Sequence, residues 1–79
     1  MSLYWEVYAT PPGREELAFS EEVPAYSVEL VKQIAEVGDD DPYKELTFDQ
    51  FLRISKILQL EPDPNWPSLD FFVEGYPAL

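Results

Sequence analysis

Carboxylates are the side chains of this chain that could do chemistry, and they are densest in one short stretch near its middle. Asp39 to Asp41 are consecutive and Glu45 follows closely, a composition that suits a hard cation such as Ca²⁺. The EF-hand loop, however, requires glycine at its sixth position and glutamate at its twelfth, where this chain has Lys44 and Gln50. The sequence therefore predicts no metal site here. Two interpretations are left: a solvated loop between two helices, or an acidic patch that faces a partner.

Paired carboxylates also occur at Glu15-Glu16 and Glu21-Glu22, on either side of a predicted strand. A glycosidase needs two carboxylates that converge on one cleft, and one of them must have a raised pKa. Neighbouring residues on a strand point to opposite faces, so neither pair converges on a point. We interpret both pairs as charged strand edges that discourage aggregation of one sheet with another.

The residue types that the chain lacks exclude most other chemistry. It has no cysteine and no histidine, which excludes disulfides, the usual zinc ligand sets, thiol chemistry and a histidine base. Its basic residues are scattered and its 3 glycines are isolated, so neither a phosphate-binding loop nor a nucleic-acid surface is predicted. We expect no catalytic residue, no metal and no cofactor, and hence a protein that is not an enzyme.

The overall charge predicts the sign of a partner. With 16 acidic and 5 basic residues the formal net charge is −11, which repels nucleic acid and anionic membranes and speeds encounter with a basic protein. The alternative is that the acidity serves solubility alone. The N-terminus has no basic segment followed by an apolar one, and no apolar run has the length of a membrane span. The expected location is therefore the cytoplasm.

The strands that would position these residues follow from alternation of apolar and polar side chains. The chain of 79 residues, 46% of them hydrophobic, is expected to form a single domain, residues 1–79, around one modest core. Alternation predicts a strand over 3–10, a turn at Pro11 to Arg14, and a second strand over 16–23. A third strand is predicted over 68–74.

Helical spacing predicts two amphipathic helices between the second and third strands. The first runs from the cap Ser27 to a C′ glycine at Gly38. The second begins at a T-x-x-Q capping box, made by Thr47 and Gln50, and ends near Gln59. The expected fold is α+β, in the order β-β-α-α-β, with a three-stranded, mainly antiparallel sheet and both helices packed on one face. The strand that pairs with the third strand is left open, because the connector before it can reach either edge.

The apolar faces of these elements predict the core and leave one face of the sheet uncovered. The predicted core consists of Leu3, Trp5, Val7, Leu17, Phe19, Val31, Ile34, Phe48, Phe51, Leu52, Leu58, Leu69, Phe71 and Val73. The uncovered sheet face would carry Tyr4, Glu6, Tyr8, Asp70, Phe72 and Glu74. Aromatic side chains mixed with acids are suited to contact with a basic partner.

The acidic stretch and the proline-rich connector after the second helix are the first candidates for a contact surface. Trp66 in the connector is either a recognition anchor or a lid over the open end of the core, and the lid is favoured. The predicted contact set is Asp39, Asp40, Asp41, Tyr43, Glu45, Glu61, Asp63 and Trp66. The uncovered sheet face is the second candidate surface.

Three motifs of the chain resemble those of a group of small bacterial proteins: Asp40-Asp41-Pro42-Tyr43, Leu46-Thr47-Phe48-Asp49-Gln50 and Leu69-Asp70-Phe71-Phe72-Val73-Glu74. That group opens with a hairpin, carries an acidic turn before a capped helix, and closes on an aromatic strand. The resemblance implies an immunity protein encoded beside a bacterial toxin, acidic because it covers the basic active site of a nuclease. It assigns no functional residue. The alternative is a structural or regulatory module that self-associates through its uncovered sheet face.

Overall fold

The computed structural model describes residues 3–77 as an α+β fold with one antiparallel sheet and two α-helices. The strands and helices in chain order are β1 Leu3–Thr10, β2 Phe19–Glu22, α1 Val28–Ala35, β3 Tyr43–Leu46, α2 Phe48–Leu58 and β4 Asp70–Pro77. Short 3₁₀ turns precede α1 and β4. The α+β class is confirmed. The prediction of three strands is wrong, because the sheet has four, in the order β2-β1-β4-β3.

The hairpin of β1 and β2 is shorter than predicted. Gly13 has a φ of +73°, and the Arg14 amide donates to the Pro11 carbonyl at 3.1 Å, as in a type II turn with proline before glycine. The second strand begins at Phe19, opposite Ala9. Continuing that register would place Leu17 opposite Pro11, which has no amide for a ladder bond. Leu17 is 57% exposed, so its assignment to the core is wrong.

Helix α1 ends two residues earlier than predicted. Glu36, with φ +58°, is the left-handed residue, and the Val37 amide donates to the Lys32 carbonyl at 3.1 Å. These are the features of a Schellman motif, which usually places glycine at the left-handed position. The prediction that Gly38 ends this helix is therefore wrong. At its start, Ser27 makes no side-chain capping bond.

The start of α2 has the predicted capping box. The Thr47 hydroxyl accepts from the Gln50 amide at 3.1 Å, and the Gln50 side-chain oxygen accepts from the Thr47 amide at 2.9 Å. Leu46 and Phe51 are both buried on either side of the cap, as a hydrophobic staple requires. The amide nitrogen of the Gln50 side chain also donates to the Ile34 carbonyl at 3.0 Å, which ties α2 to the end of α1.

The sheet is completed by β4, which pairs with β1 on one side and with β3 on the other. All eight residues of β1 pair with β4. The strand after the proline-rich connector therefore pairs with the first strand of the hairpin, a choice that the sequence left open. The additional strand, β3, comes from the second half of the acidic stretch. Tyr43 and Glu45 point to one side of the sheet, and Leu46 points to the helices. The order is therefore β-β-α-β-α-β.

The core lies between the sheet and the helices and is rich in aromatic rings. The rings of Phe51 and Phe71 stack with centroids 3.8 Å apart, and Trp66 meets Phe51 edge-on at 4.8 Å. Trp5 is 2% exposed and lies over Gly75, where an added Cβ would be 3.0 Å from the indole. The predicted core member Phe48 is 39% exposed. Buried hydrophobic residues missing from the prediction are Ala9, Val23, Ala35, Leu46, Ile54 and Trp66.

Candidate functional site

The side of the sheet that faces away from the helices is covered by aromatic rings and carboxylates. The strand registers place ten such residues on it, and we call them the open face: Tyr4, Glu6 and Tyr8 of β1, Glu22 of β2, Tyr43 and Glu45 of β3, and Asp70, Phe72, Glu74 and Tyr76 of β4. All six residues predicted for the uncovered sheet face are among them. Alternation alone therefore placed these six on one surface.

The aromatic rings of the open face form cross-strand stacks. Tyr4 and Tyr76 stack with ring centroids 5.2 Å apart, and Tyr8 and Phe72 stack at 5.3 Å. Tyr43, on the edge strand β3, extends the second stack to Phe72 at 6.0 Å. Cross-strand aromatic pairs stabilise a sheet, and here they also form a rigid surface that needs little ordering on contact.

A row of three carboxylates crosses the open face between the two stacks. Glu6 is the register partner of Glu22 on β2 and of Glu74 on β4. Residues directly opposite on antiparallel strands have Cα atoms about 4.5–5.5 Å apart. Like charges in such positions destabilise the sheet. The row therefore works against folding while the face is uncovered.

The carboxylates also influence the tyrosines around them. The Tyr8 hydroxyl donates to a Glu74 oxygen at 3.1 Å, and burial together with this bond raises the Tyr8 pKa. Burial and the carboxylates of Glu74 and Glu6 raise the pKa of Tyr76 to about 12. Burial and the carboxylates of Glu45 and Glu74 raise the pKa of Tyr43 as well. The three phenols therefore lose their protons only at a more alkaline pH than an ordinary tyrosine does.

Basic residues lie on other parts of the molecule. Lys32 belongs to α1, and Arg53 and Lys56 belong to α2. Arg14 is in the hairpin turn, where it pairs with Glu16 at 3.2 Å. Lys44 faces the helix side of β3, since it is the register partner of Val73. Within residues 3–77, no basic side chain belongs to the strand positions of the open face, whose five carboxylates are therefore uncompensated there.

The predicted contact set is divided among several places. Tyr43 and Glu45 lie on the open face, on strand β3. Asp40 and Asp41 are exposed in the turn just before that strand. Asp39 is paired with Lys32, whose amine lies 2.7 Å from a carboxylate oxygen, so its charge is partly neutralised within the chain. The pKa of Lys32 is raised, chiefly by this hydrogen bond.

The connector residues of the predicted set lie toward the opposite end of the sheet. Glu61 and Asp63 line a shallow pocket of about 220 Å³ together with Phe19, Leu60 and Trp66. At this end of the sheet, Phe19 of β2 pairs with Ala9 of β1. At the other end, the Gly75 amide donates to the Pro42 carbonyl beside the acidic turn, and Gly75 pairs with Trp5 of β1. Four residues of strand separate these positions, about 14 Å. The predicted set is thus spread over both ends of the sheet.

Trp66 is part of the core. Its side chain is 7% exposed and packs edge-on against Phe51, which agrees with the favoured interpretation as a lid. Its edge that lines the shallow pocket beside Glu61 and Asp63 is the part of the indole that a partner could reach.

Two residues of the open face, Tyr76 and Glu22, belong to neither of the two predicted surfaces. The third strand was predicted to stop at Glu74, before Gly75, whereas β4 continues to Pro77 and brings Tyr76 into the first stack. The alternation Phe72, Glu74, Tyr76 is the signal that could have found it. Glu22 was interpreted only as a strand edge, and its place beside Glu6 depends on the hairpin register.

A groove lies on the opposite side of the molecule, between the two helices. Its volume is about 550 Å³, and its charged lining residues are Glu36 and Arg53, among neighbours that include Leu30, Gln33 and Gln50. No pair of carboxylates converges in this lining. In the part of the chain that the structure describes, no group of three or more acidic side chains is arranged to hold a metal ion.

Neither helix within residues 3–77 is long and apolar enough to cross a bilayer. Comparisons with protein-family models, curated proteins and solved structures find no match to this chain.

Proposed function

We propose that this protein is a non-enzymatic binding module whose open face docks on a basic protein. The observation that carries the proposal is the composition of this face: five aromatic rings and five carboxylates, with no basic side chain at its strand positions. Aromatic anchors supply contact area and short-range affinity. Uncompensated carboxylates select a cationic partner and accelerate the encounter.

The positions of Glu22, Glu6 and Glu74 within the open face also support this proposal. Facing carboxylates cost stability in the free protein, and cations of a partner would relieve that repulsion on binding. The arrangement is unfavourable for folding alone, whereas a surface that binds a basic partner benefits from it.

The contact extends past the open face onto the acidic turn. With eight residues in β1 and β4 and four in β2 and β3, the projected area of the face is roughly 400 Å² at ~3.4 Å per residue and ~4.8 Å between strands. A stable complex takes about 800 Å² from each partner. Asp40 and Asp41 are exposed in the turn before β3, separated from it by Pro42, and continue the acidic surface from its edge.

The specific form of the proposal is an immunity protein that neutralises a basic, nuclease-type bacterial toxin. Carboxylates of the open face and the turn would then occupy the positions that nucleic-acid phosphates take on the toxin. The resemblance of the Asp40 to Tyr43 turn and the Leu69 to Glu74 strand to small immunity-type proteins supports this form.

The test is capture of a partner from lysate of the producing cell at low and at high salt. Three baits are compared: the natural chain, the double variant Glu6→Gln/Glu74→Gln, and a matched control, Glu15→Gln/Glu16→Gln, which removes the same charge from the hairpin turn. We expect the natural chain and the control to retain a basic protein that salt releases, and the open-face variant to lose it. The nuclease activity of the captured protein should fall when the natural chain is added.

A salt-insensitive partner, or one that both double variants capture equally, would contradict the proposal. Self-association through the same face is the competing function. It would bring ten carboxylates of two copies together, which like-charge repulsion opposes. A stable dimer in sedimentation without any partner, lost on Tyr8→Glu or Phe72→Glu, would favour self-association instead.

A further inference from the structure

The outer strands of the sheet, β2 and β3, each have one edge that no other strand of the described chain covers. On β3, the register decides which backbone groups point to that edge. The Gly75 amide donates to the Pro42 carbonyl at 2.8 Å, one residue before the strand begins. In an antiparallel pair, positions bonded in this way alternate with positions that turn their groups away. Lys44 therefore bonds to β4, whereas Tyr43 and Glu45 turn their amides and carbonyls to the free edge.

Three of these four outward groups lack a partner in the protein. The Tyr43 amide donates to the Asp41 carbonyl at 2.8 Å. The Tyr43 carbonyl and both backbone groups of Glu45 have no protein partner within residues 3–77. Tyr43 is 47% exposed and Glu45 is exposed as well. One donor and two acceptors in a row along an open edge are the groups with which a further strand pairs.

The free edge of β2 is less suited to an added strand. Its outward residues are Ser20 and Glu22, by the same alternation. The Ala18 amide donates to the Ala9 carbonyl at 2.8 Å, although the register partner of Ala9 is Phe19. Two residues of the hairpin's second arm thus oppose one, as in a β-bulge at the start of a strand. Bulges twist an edge away from further pairing.

We propose that β3 pairs with an extended, antiparallel strand of the basic partner, in which basic residues occupy every second position. This inference rests on the proposed function and names the way in which the partner joins the sheet beside the open face. The partner residues opposite Glu45 and Tyr43 make three backbone hydrogen bonds with the edge, and their side chains point to the side of the open face. Antiparallel pairing agrees with every other strand pair of the sheet.

The two sides of β3 select the side chains of the added strand. On the side of the open face, the Glu45 carboxylate attracts a basic side chain, and the exposed ring of Tyr43 attracts a cation as well. On the side that faces the helices, the exposed Lys44 repels basic side chains. The complementary strand therefore alternates basic residues with uncharged ones. Such a strand also enlarges the contact beyond the open face, which alone is smaller than a stable interface requires.

A second copy of the chain is a poor partner for this edge. Two copies of β3 that pair antiparallel about a twofold axis at Lys44 put lysine opposite lysine, and an axis at Glu45 puts glutamate opposite glutamate. Like charges directly opposite each other destabilise a sheet. Both molecules would also carry a net charge of −11, so they repel each other at low salt.

The experiment measures the affinity of the natural chain for an eight-residue peptide with blocked ends, in which lysine alternates with valine. One derivative is N-methylated on the backbone amides of its lysines, which point to β3 in the proposed pairing. A matched derivative is N-methylated on its valine amides, which point away. We expect the first derivative to bind about tenfold more weakly than the second, because it cannot donate to the Tyr43 and Glu45 carbonyls.

Variants of the chain test the same pairing from the other side. Glu45→Pro removes the outward amide of β3 and leaves the bonds between Lys44 and β4 in place, since an edge strand tolerates proline where its amide faces solvent. Glu22→Pro is the matched control, because it removes an outward amide and one open-face carboxylate on β2. We expect Glu45→Pro to bind the unmodified peptide about fivefold more weakly than Glu22→Pro. Glu45→Gln, which loses only the charge, should resemble Glu22→Pro.

Amide hydrogen exchange of the natural chain gives a readout that depends on no variant. The unmodified peptide should slow exchange of the Glu45 amide, because the added strand accepts a hydrogen bond from it. Exchange of the Glu22 amide, which is outward on β2, should not change. Far-UV circular dichroism and cooperative unfolding establish that the sheet of each variant is intact.

Each outcome bears on a different claim. Equal affinity of the two methylated peptides, or a Glu45 amide that the peptide leaves unprotected, would overturn the added strand and leave docking of a basic protein on the open face in place. Weaker binding of the valine-methylated peptide alone would overturn it too, because antiparallel pairing turns those amides outward. Failure of the unmodified peptide to bind at low salt would contradict the proposed function together with the inference.

Discussion

At Glu6, folding and binding favour different side chains. Its carboxylate has Glu22 on one neighbouring strand and Glu74 on the other, and no basic residue shares the strand positions of this face in the described part of the chain. A neutral side chain would relieve the repulsion in the free protein. Attraction of a basic partner, however, requires the negative charge of Glu6.

We expect Glu6→Gln to raise the free energy of unfolding by about 0.5 kcal/mol at low salt, because it removes both facing repulsions. The gain should shrink at high salt, where exposed charges are screened. Urea unfolding at two salt concentrations measures it. Glu15→Gln, in the exposed hairpin turn, removes the same charge without facing partners and should change stability less. A loss of stability in Glu6→Gln would mean that the row is not repulsive.

At the scale of the elements, α2 is the best-defined unit, and Gln50 joins it to the rest of the fold. Its side-chain oxygen completes the capping box, while its amide nitrogen donates to the Ile34 carbonyl near the end of α1. Both helices end in Schellman motifs whose left-handed residues, Glu36 and Gln59, are not glycine. Both helices therefore end at residues other than the glycine that local preference favours.

We expect Gln50→Glu to destabilise the protein by about 1 kcal/mol, although glutamate is equally suitable for a capping box. The glutamate oxygens can still accept from the Thr47 amide, but neither can donate to the Ile34 carbonyl. Thermal unfolding measures the effect. The control Gln33→Glu makes the same chemical change on an exposed position in the last turn of α1, where the helix dipole should cost only about 0.3 kcal/mol. Equal effects of the two substitutions would show that the bond between the helices contributes nothing.

At the scale of the whole molecule, the charge is divided between two sides. The helices carry Lys32, Arg53 and Lys56, whereas the open face carries carboxylates and neutral phenols. The field of this face is therefore more negative than the composition alone implies, and a basic partner would be steered toward one side. The phenols of Tyr8, Tyr43 and Tyr76 have raised pKa values. At alkaline pH, loss of their protons would add negative charge to this face, and the folded state would become less stable.

We expect the free energy of unfolding to fall as pH rises from about 10 to 12. An unfolded tyrosine loses its proton near pH 10, whereas Tyr76 in the folded protein keeps it until about 12. Between these two pH values the unfolded state binds fewer protons than the folded state, so the free energy of unfolding decreases as pH rises. Below pH 10 both states hold the proton, and the contribution of Tyr76 to stability is fully present. The raised pKa of Lys32 acts in the same direction.

Urea unfolding between pH 9 and 12, together with tyrosinate absorbance, tests this dependence near the titration range of tyrosine. Tyr76→Phe should make the fall in stability less steep. Tyr26→Phe is the matched control, because Tyr26 is 91% exposed and lies outside the open face. The same slope in the natural chain and in Tyr76→Phe would contradict the role assigned to Tyr76.

Local signals in the sequence determined the first strand, the helix start at Thr47 and the surface that carries six of the ten open-face residues. Each depends on neighbours within a few positions: alternation places Tyr4, Glu6 and Tyr8 on one side of β1, and capping needs only Thr47 and Gln50. The same locality explains the errors at Leu17 and Gly38. The pairing register of the hairpin leaves Leu17 outside the strand, and α1 ends at Glu36 although the local preference is for glycine.

Only the tertiary structure decided that the acidic stretch contributes a strand and that its residues belong to two surfaces. The segment Tyr43–Leu46 is too short for its alternation to predict a strand, and it is held by the free edge of β4. Pairing across strands joins Tyr43 and Glu45 to the open face, while Asp39 turns to Lys32. Which carboxylates face one another depends on register, a long-range property, and this is why the row of Glu22, Glu6 and Glu74 could not be predicted from composition or spacing.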